Sequence, residues 1–297
     1  MSPRAARGPL VAPLLVIVIA FMMQSGSALA TKVIAAVGVV DANWLRTTTA
    51  ALILIAVRPR SLRLPPPGQR RTVGLLALSL LCMNLSFYGA ISLAPIGIVV
   101  AIEFSGPLVV AVLGSRRPSD FVWVGLAAVG IAVLVGPSGS IGLGGLVLAL
   151  SAALFWGLYL VLARRALGVL EPLHVTTLIF TGSALMLTPV ALLFAPRLAH
   201  HPSAVALGAT VGLVSSAGPY FLELVALRLV RAATYSVLLS LEPAIAALTG
   251  FLFVGQRLSA LDVAAIVTVM IAAAGATVRA ASLHAPVPLP PDGGAPL

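Results

Sequence analysis

Ten uninterrupted apolar stretches limit what this chain can fold into more than any other feature. They fall at about 10–31, 41–57, 73–93, 96–114, 120–136, 145–163, 173–195, 204–225, 232–254 and 260–280. Each is long enough to cross a bilayer, which takes roughly 17 to 25 residues of helix. A spanning segment must satisfy its own backbone hydrogen bonds, because the hydrocarbon supplies no partners. The expected fold class is therefore an all-α integral membrane protein with ten transmembrane helices. With 60% hydrophobic and 9% charged residues, the chain carries more apolar surface than a soluble domain can bury. The first stretch imitates a cleavable signal peptide: Arg4 and Arg7 precede an apolar core, and Ala28-Leu29-Ala30 resembles a cleavage site. Retention is expected, because the chain reads as duplicated and cleavage would leave the first copy one helix short.

The net charge of +10 raises the question of nucleic acid, but the placement of the charges answers it. On a ten-span path starting in the cytoplasm, fourteen of the 18 basic residues fall on the inner side. Lys32, Arg197 and Arg257 fall outside, and Arg46 is embedded in the second span. That asymmetry satisfies the positive-inside rule with both termini cytoplasmic and leaves no basic stripe for nucleic acid. The expected location is the cell inner (plasma) membrane, multi-pass. The single cysteine, Cys82, lies within a span, which excludes an internal disulfide and a thiolate metal site. The four histidines lack metal-ligand spacing, and no cofactor is expected. No polar segment is large enough to form a soluble enzyme domain, so the chain is not read as an enzyme.

Within the fourth span, Glu103 lies near mid-depth with Pro107 one turn later. Proline has no amide hydrogen, so it cannot donate to the carbonyl of Glu103. A carboxylate at that depth costs roughly 2.5 to 3.5 kcal/mol on insertion scales and marks a functional site by default. The competing reading is a structural acid, neutralised by protonation or by a neighbouring helix.

Sliding the sequence by 136 residues lays 88–114 over 224–250. Ala90 then falls on Ala226, Leu93 on Leu229, Pro107 on Pro243 and Gly114 on Gly250, with Glu242 immediately before the second proline. Identity is low, but the coincident helix-break prolines, each with an acid close by, support a duplication. The copies occupy 10–136 and 145–280, between a cytoplasmic N-terminus (1–9) and a disordered cytoplasmic tail (281–297) rich in proline and glycine. An odd number of spans per copy makes the repeats inverted. Two inverted five-helix repeats are how many secondary transporters open alternately to either face around a midplane site.

These residues resemble the drug/metabolite transporter superfamily, in particular its EamA-domain permeases. The stretch 100–124, VAIEFSGPLVVAVLGSRRPSDFVWV, is similar to bacterial inner-membrane threonine/homoserine exporters; 240–250, SLEPAIAALTG, and 155–164, FWGLYLVLAR, match the second EamA repeat. The resemblance implies an exporter of small neutral amino acids or related metabolites, with a drug exporter of the same fold as the alternative. Two departures stand out: Gln24-Ser25 where the first repeat often opens with Trp-Gly, and Gly255-Gln256 where many members have Gly-Glu.

A zwitterion needs an anion for its ammonium and a cation for its carboxylate. Glu103, Glu242 and Arg46 supply that pattern, and a Glu103–Arg46 contact is expected in the empty protein, either exchanged for substrate or kept as a permanent structural pair. Asn84, Tyr88, Trp156, Tyr159, Tyr220, Tyr235 and Ser240 are the candidate cavity residues, although aromatic residues at helical spacing are more often packing. Glu223, close to Arg228 and Arg231, reads as an interfacial salt bridge. Ala127 to Ile131 and Gly208 to Gly212 read as helix-packing steps. With two mid-span acids and one embedded arginine, proton exchange through Glu103 or Glu242 is expected. The partners expected are a small-molecule substrate, protons and membrane lipid, with a homodimer left open. A channel would instead favour rings of like charge in an oligomer.

Overall fold

The computed structural model describes residues 8–115, 121–135, 140–193, 195–219, 222 and 238–283, and those residues form helices and short connections with no strand. Helix α1 (Gly8–Val37) turns at Gly38 into α2 (Val39–Val57). Gly38 has φ +90°, a backbone region that glycine enters without steric penalty. A 3-10 turn at Pro59–Leu62 leads to α3 (Pro67–Ile91), which begins on the last of three prolines. Proline suits a first turn because its missing N–H would find no partner there anyway.

The expected fourth span, 96–114, is broken. Helix α4 (Ile96–Glu103) ends at Glu103, Phe104 forms a turn, and α5 (Ser105–Ser115) continues from there. The interruption thus falls three residues before Pro107, where the amide ladder loses a donor. The chain continues through α6 (Phe121–Val135), α7 (Leu143–Leu167), α8 (Pro172–Leu193), the short α9 (Ala195–His200) and α10 (Pro202–Gly212). Helix α10 runs into a π-helical turn at Leu213–Ala217. Glu242 and Pro243 open α11 (Glu242–Val254), and α12 (Ala260–Leu283) is the last helix described. Residues 223–237, which include the end of the expected eighth span (204–225) and the start of the expected ninth (232–254), lie outside the described residues.

Among the described residues, five helical segments are long and apolar enough to cross a membrane: Leu14–Val37, Pro67–Ile91, Ile96–Leu113, Leu143–Leu167 and Pro172–Leu193. Four shorter apolar helices accompany them, at Phe121–Val135, Pro202–Ala217, Glu242–Val254 and Ala260–Ala276. Helix α2 is less uniformly apolar because it carries Asp41 and Arg46, both buried.

The helices pack in a regular scheme: α2 against α8, α6 against α12, α4 against α11, α1 against α10 and α11, and α3 and α5 against α7. Close approach depends on residues without bulk. A Cβ at Gly106 would lie 2.0 Å from the Ala153 carbonyl oxygen, and one at Gly97 would lie 2.8 Å from the Ala247 Cβ. The main core gathers α4 almost whole, with Tyr88, Ile98, Ile102 and Phe104 among its buried members. A second cluster, around Leu76, Leu80, Ile179 and Phe180, joins α3 to α8. Polar residues placed between these clusters are therefore held away from lipid.

Candidate functional site

Arg46 is the centre of the polar interior. Helix α2 carries it one turn beyond Ala42, and only 8% of its surface is exposed. Its Nε donates to the Ser216 hydroxyl at 2.8 Å, and one terminal nitrogen donates to the Asn84 carboxamide oxygen. Asn84 is held in turn by a bond from Nδ2 to the Leu80 carbonyl, 2.9 Å. The guanidinium carbon lies 5.5 Å from the centroid of the Tyr88 ring. Asn84 and Tyr88 are four residues apart, so α3 presents both on one face. A cation over an aromatic face gains about 0.5 to 2 kcal/mol, more as water is removed.

The Tyr88 hydroxyl is buried within electrostatic reach of the guanidinium, and no well-formed hydrogen bond to it is found among the described residues. Arg46 is thus a buried cation held by two neutral oxygens and a ring face. The expected ion pair with Glu103 is not what the guanidinium makes. Buried arginines in membranes seek anions, and the two hydrogen-bond partners of this one, Ser216 and Asn84, carry no charge.

Glu103 links this cluster to a second acid, Glu242. Both are buried, and Glu103 lies within electrostatic reach of Glu242 and of Arg46. They come together because α4 packs on α11, with Gly97 letting Ala247 approach. Phe104, next to Glu103, meets Trp156 edge to face at 4.9 Å. Ser240 is buried in the turn leading into α11.

Of the residues expected from sequence, Asn84 and Tyr88 each contact Arg46, Glu103 lies within electrostatic reach of Arg46 and of Glu242, and Trp156 packs on Phe104, the neighbour of Glu103. Tyr159 divides from Trp156: it packs against the second cluster while Trp156 packs against the first. Tyr220, Tyr235, Glu223, Arg228 and Arg231 lie outside the described residues.

Several participants were not legible as such. Ser216 stands out in sequence only as one of two adjacent serines in an apolar run. The Gln256 carboxamide oxygen accepts from the Ile96 N–H at 3.0 Å and caps α4 from the far end of the chain. This chain thus places a neutral acceptor at that helix end. Asp41 and Asn43 on α2 are fully buried, and their side-chain oxygens and nitrogen have no hydrogen-bond partner among the described residues. Gly208 and Gly212 pack as expected, against Leu45 and against Thr49 and the Arg46 carbonyl.

The EamA-like transporter family matches residues 143–278, the part that carries α7 to α12. Across the longer chain, the threonine/homoserine exporter RhtA of Salmonella typhimurium is 38% identical over 278 residues, covering 91% of this chain and 92% of that protein. The chain belongs to the EamA-like transporter family. RhtA of Escherichia coli (strain K12) is 37% identical over the same length. The uncharacterized transporter YwfM of Bacillus subtilis is 27% identical over 197 residues. A solved structure titled "Crystal structure of protein" superposes on this EamA-like chain with a TM-score of 0.59 at 20% identity, covering 93% of this chain and 99% of the other. At that identity it speaks for the shared fold alone. Family and apolar helices together make the chain a multi-pass membrane transporter.

Proposed function

We propose that this transporter exports small neutral amino acids of the threonine or homoserine kind across the inner membrane in exchange for protons. The observation that carries the reading is a buried Arg46, whose hydrogen-bond partners among the described residues are neutral, together with two buried carboxylates, Glu103 and Glu242. Such a site is complementary to a zwitterion: the guanidinium receives the carboxylate and the acids receive the ammonium. Lying between Arg46 and the acids, the substrate would replace the neutral contacts with charge-assisted ones, which are roughly twice as strong. The exporters named among the relatives support the substrate class.

Alternating access by two inverted five-helix repeats is the motion we assign, and the packing scheme supports it. Number the ten expected spans and add five to each. Three packing pairs then map onto themselves, namely α2 with α8, α4 with α11, and α6 with α12. The pair α1–α10 maps onto α7–α3, and the pair α2–α10 onto α8–α3. Principal packing pairs that recur under that exchange suit a protein whose halves trade shapes, although the contact of α12 with α5 has no counterpart of like extent between α6 and α11.

Homoserine counterflow in proteoliposomes, run across pH with Glu103→Gln and Glu242→Gln, tests the reading. Substrate-driven proton movement in the parent protein, lost in at least one variant, is the expected result. Unchanged pH dependence in both variants would remove proton coupling through these acids. Resistance of an exporter-deficient host to lipophilic cations alone, with none to homoserine or threonine, would assign drug export instead.

A further inference from the structure

Ser215 and Ser216 are adjacent, buried and differently employed. The Ser215 hydroxyl turns back to the Val211 carbonyl at 2.7 Å, a local bond that any helical serine can make. The Ser216 oxygen accepts from Arg46, 170 residues away in the chain. The turn that carries them is π-helical, closed by the Gly218 N–H on the Leu213 carbonyl. Such turns insert one extra residue into a helix and recur at functional sites. The surrounding contacts fix this one in place. A Cβ at Gly26 on α1 would fall 2.3 Å from the Ser215 Cβ, and one at Gly212 would fall 2.8 Å from the Arg46 carbonyl. The turn is wedged between α1 and α2, so Ser216 reaches Arg46 from a rigid support.

Ser216 is fully buried, and its own hydroxyl hydrogen has no acceptor among the described residues. The neighbouring Tyr88 hydroxyl also has no well-formed hydrogen bond among the described residues. When a carboxylate reaches Arg46, the guanidinium donors turn toward it and Ser216 loses the bond it accepts. A buried hydroxyl left unpaired is costly, and a ligand hydroxyl beside the carboxylate restores the bond in both directions. A ligand of the same skeleton without that hydroxyl leaves Ser216 unpaired. Sites of this kind reject the deoxy analogue more strongly than apolar pockets reject an added hydroxyl.

We propose that Ser216 is a specificity-determining residue that binds the side-chain hydroxyl of a hydroxylated amino acid whose carboxylate sits on Arg46. The assignment rests on the reading of the site given under Proposed function.

The test compares homoserine with 2-aminobutanoate, the same skeleton without the hydroxyl, in counterflow by the full-length protein in proteoliposomes. The parent protein is expected to favour homoserine in KM. In Ser216→Ala that preference falls about threefold to tenfold, the value of one neutral hydrogen bond, through weaker homoserine binding and unchanged 2-aminobutanoate binding. Ser215→Ala, which removes only a local bond, keeps the parent ratio. Ser216→Ala that transports with the parent ratio overturns the assignment, as does a parent protein that moves both compounds equally well. Should Ser216→Ala fail to fold, Ser216→Cys, of similar size with a weak donor, carries the same expectation and the same refutation. A parent protein that moves neither compound sinks the amino-acid reading itself, a result distinct from failure of the Ser216 assignment.

Discussion

Asn84→Asp is the sharpest test of Arg46 as the receptor for a substrate carboxylate. The wild-type side chain offers the guanidinium a neutral oxygen and is itself anchored on the Leu80 carbonyl. Aspartate keeps nearly the same shape and adds one negative charge within hydrogen-bond reach of Arg46. Two unit charges 4 Å apart attract by about 4 kcal/mol at an effective dielectric constant of 20. Burying the new carboxylate costs part of that gain. If half survives, an arriving substrate must displace about 2 kcal/mol of internal pairing, which raises KM roughly 30-fold. Counterflow of labelled homoserine in proteoliposomes measures KM, and thermal unfolding in detergent checks that the variant is folded. Asn84→Ala removes the oxygen without adding charge and is expected to raise KM much less. A folded Asn84→Asp protein with the parent KM would refute the argument, because a neutralised Arg46 would then bind substrate as well as a charged one.

Two further substitutions test the scaffold. Gly106→Ala places a methyl group 2.0 Å from the Ala153 carbonyl oxygen, so α5 and α7 must separate, at about 1 to 3 kcal/mol. A lower Tm in detergent is expected, and an unchanged Tm would show that the two helices are not in close contact. Gln256→Ala strips the acceptor from the Ile96 N–H, a capping loss of about 0.5 to 2 kcal/mol. Faster hydrogen exchange at the start of α4 is expected in Gln256→Ala and not in Gln256→Glu, which keeps an acceptor; equal exchange in both would remove the cap.

The spans were legible because apolar length is a property of contiguous residues, and Glu103, Glu242 and Arg46 were legible because charge is conspicuous in such surroundings. Asn84 and Tyr88 followed from their four-residue spacing on one face. What the sequence withheld depends on distant parts of the chain. Serine in an apolar run is unremarkable, and its use here is set by a partner 170 residues away. The π turn leaves no periodic signature, since one extra residue in a helix changes composition not at all. Pro107 signalled an interrupted helix, yet the interruption settled at Phe104, where the ring meets Trp156. Tyr159 was grouped with Trp156 by spacing, but three residues on a helix lined by two separate clusters were enough to part them. Gln256 stood out only as a departure from the family's Gly-Glu, whereas the geometry makes it a cap on α4.

The bond from Gln256 to Ile96 has a further consequence for how such a molecule opens. It joins residues 160 positions apart at the mouth of the helix that ends in Glu103. Sealing that mouth with an amide makes unsealing inexpensive, since water entering the widening gap can hydrate the freed N–H and carboxamide, and the net change for a neutral bond is only about 0.5 to 1.5 kcal/mol. A charged seal would hold harder and be more sensitive to salt. On the alternating-access reading proposed above, the neutral contact would let hydration act as a lubricant between α4 and the segment that follows α11.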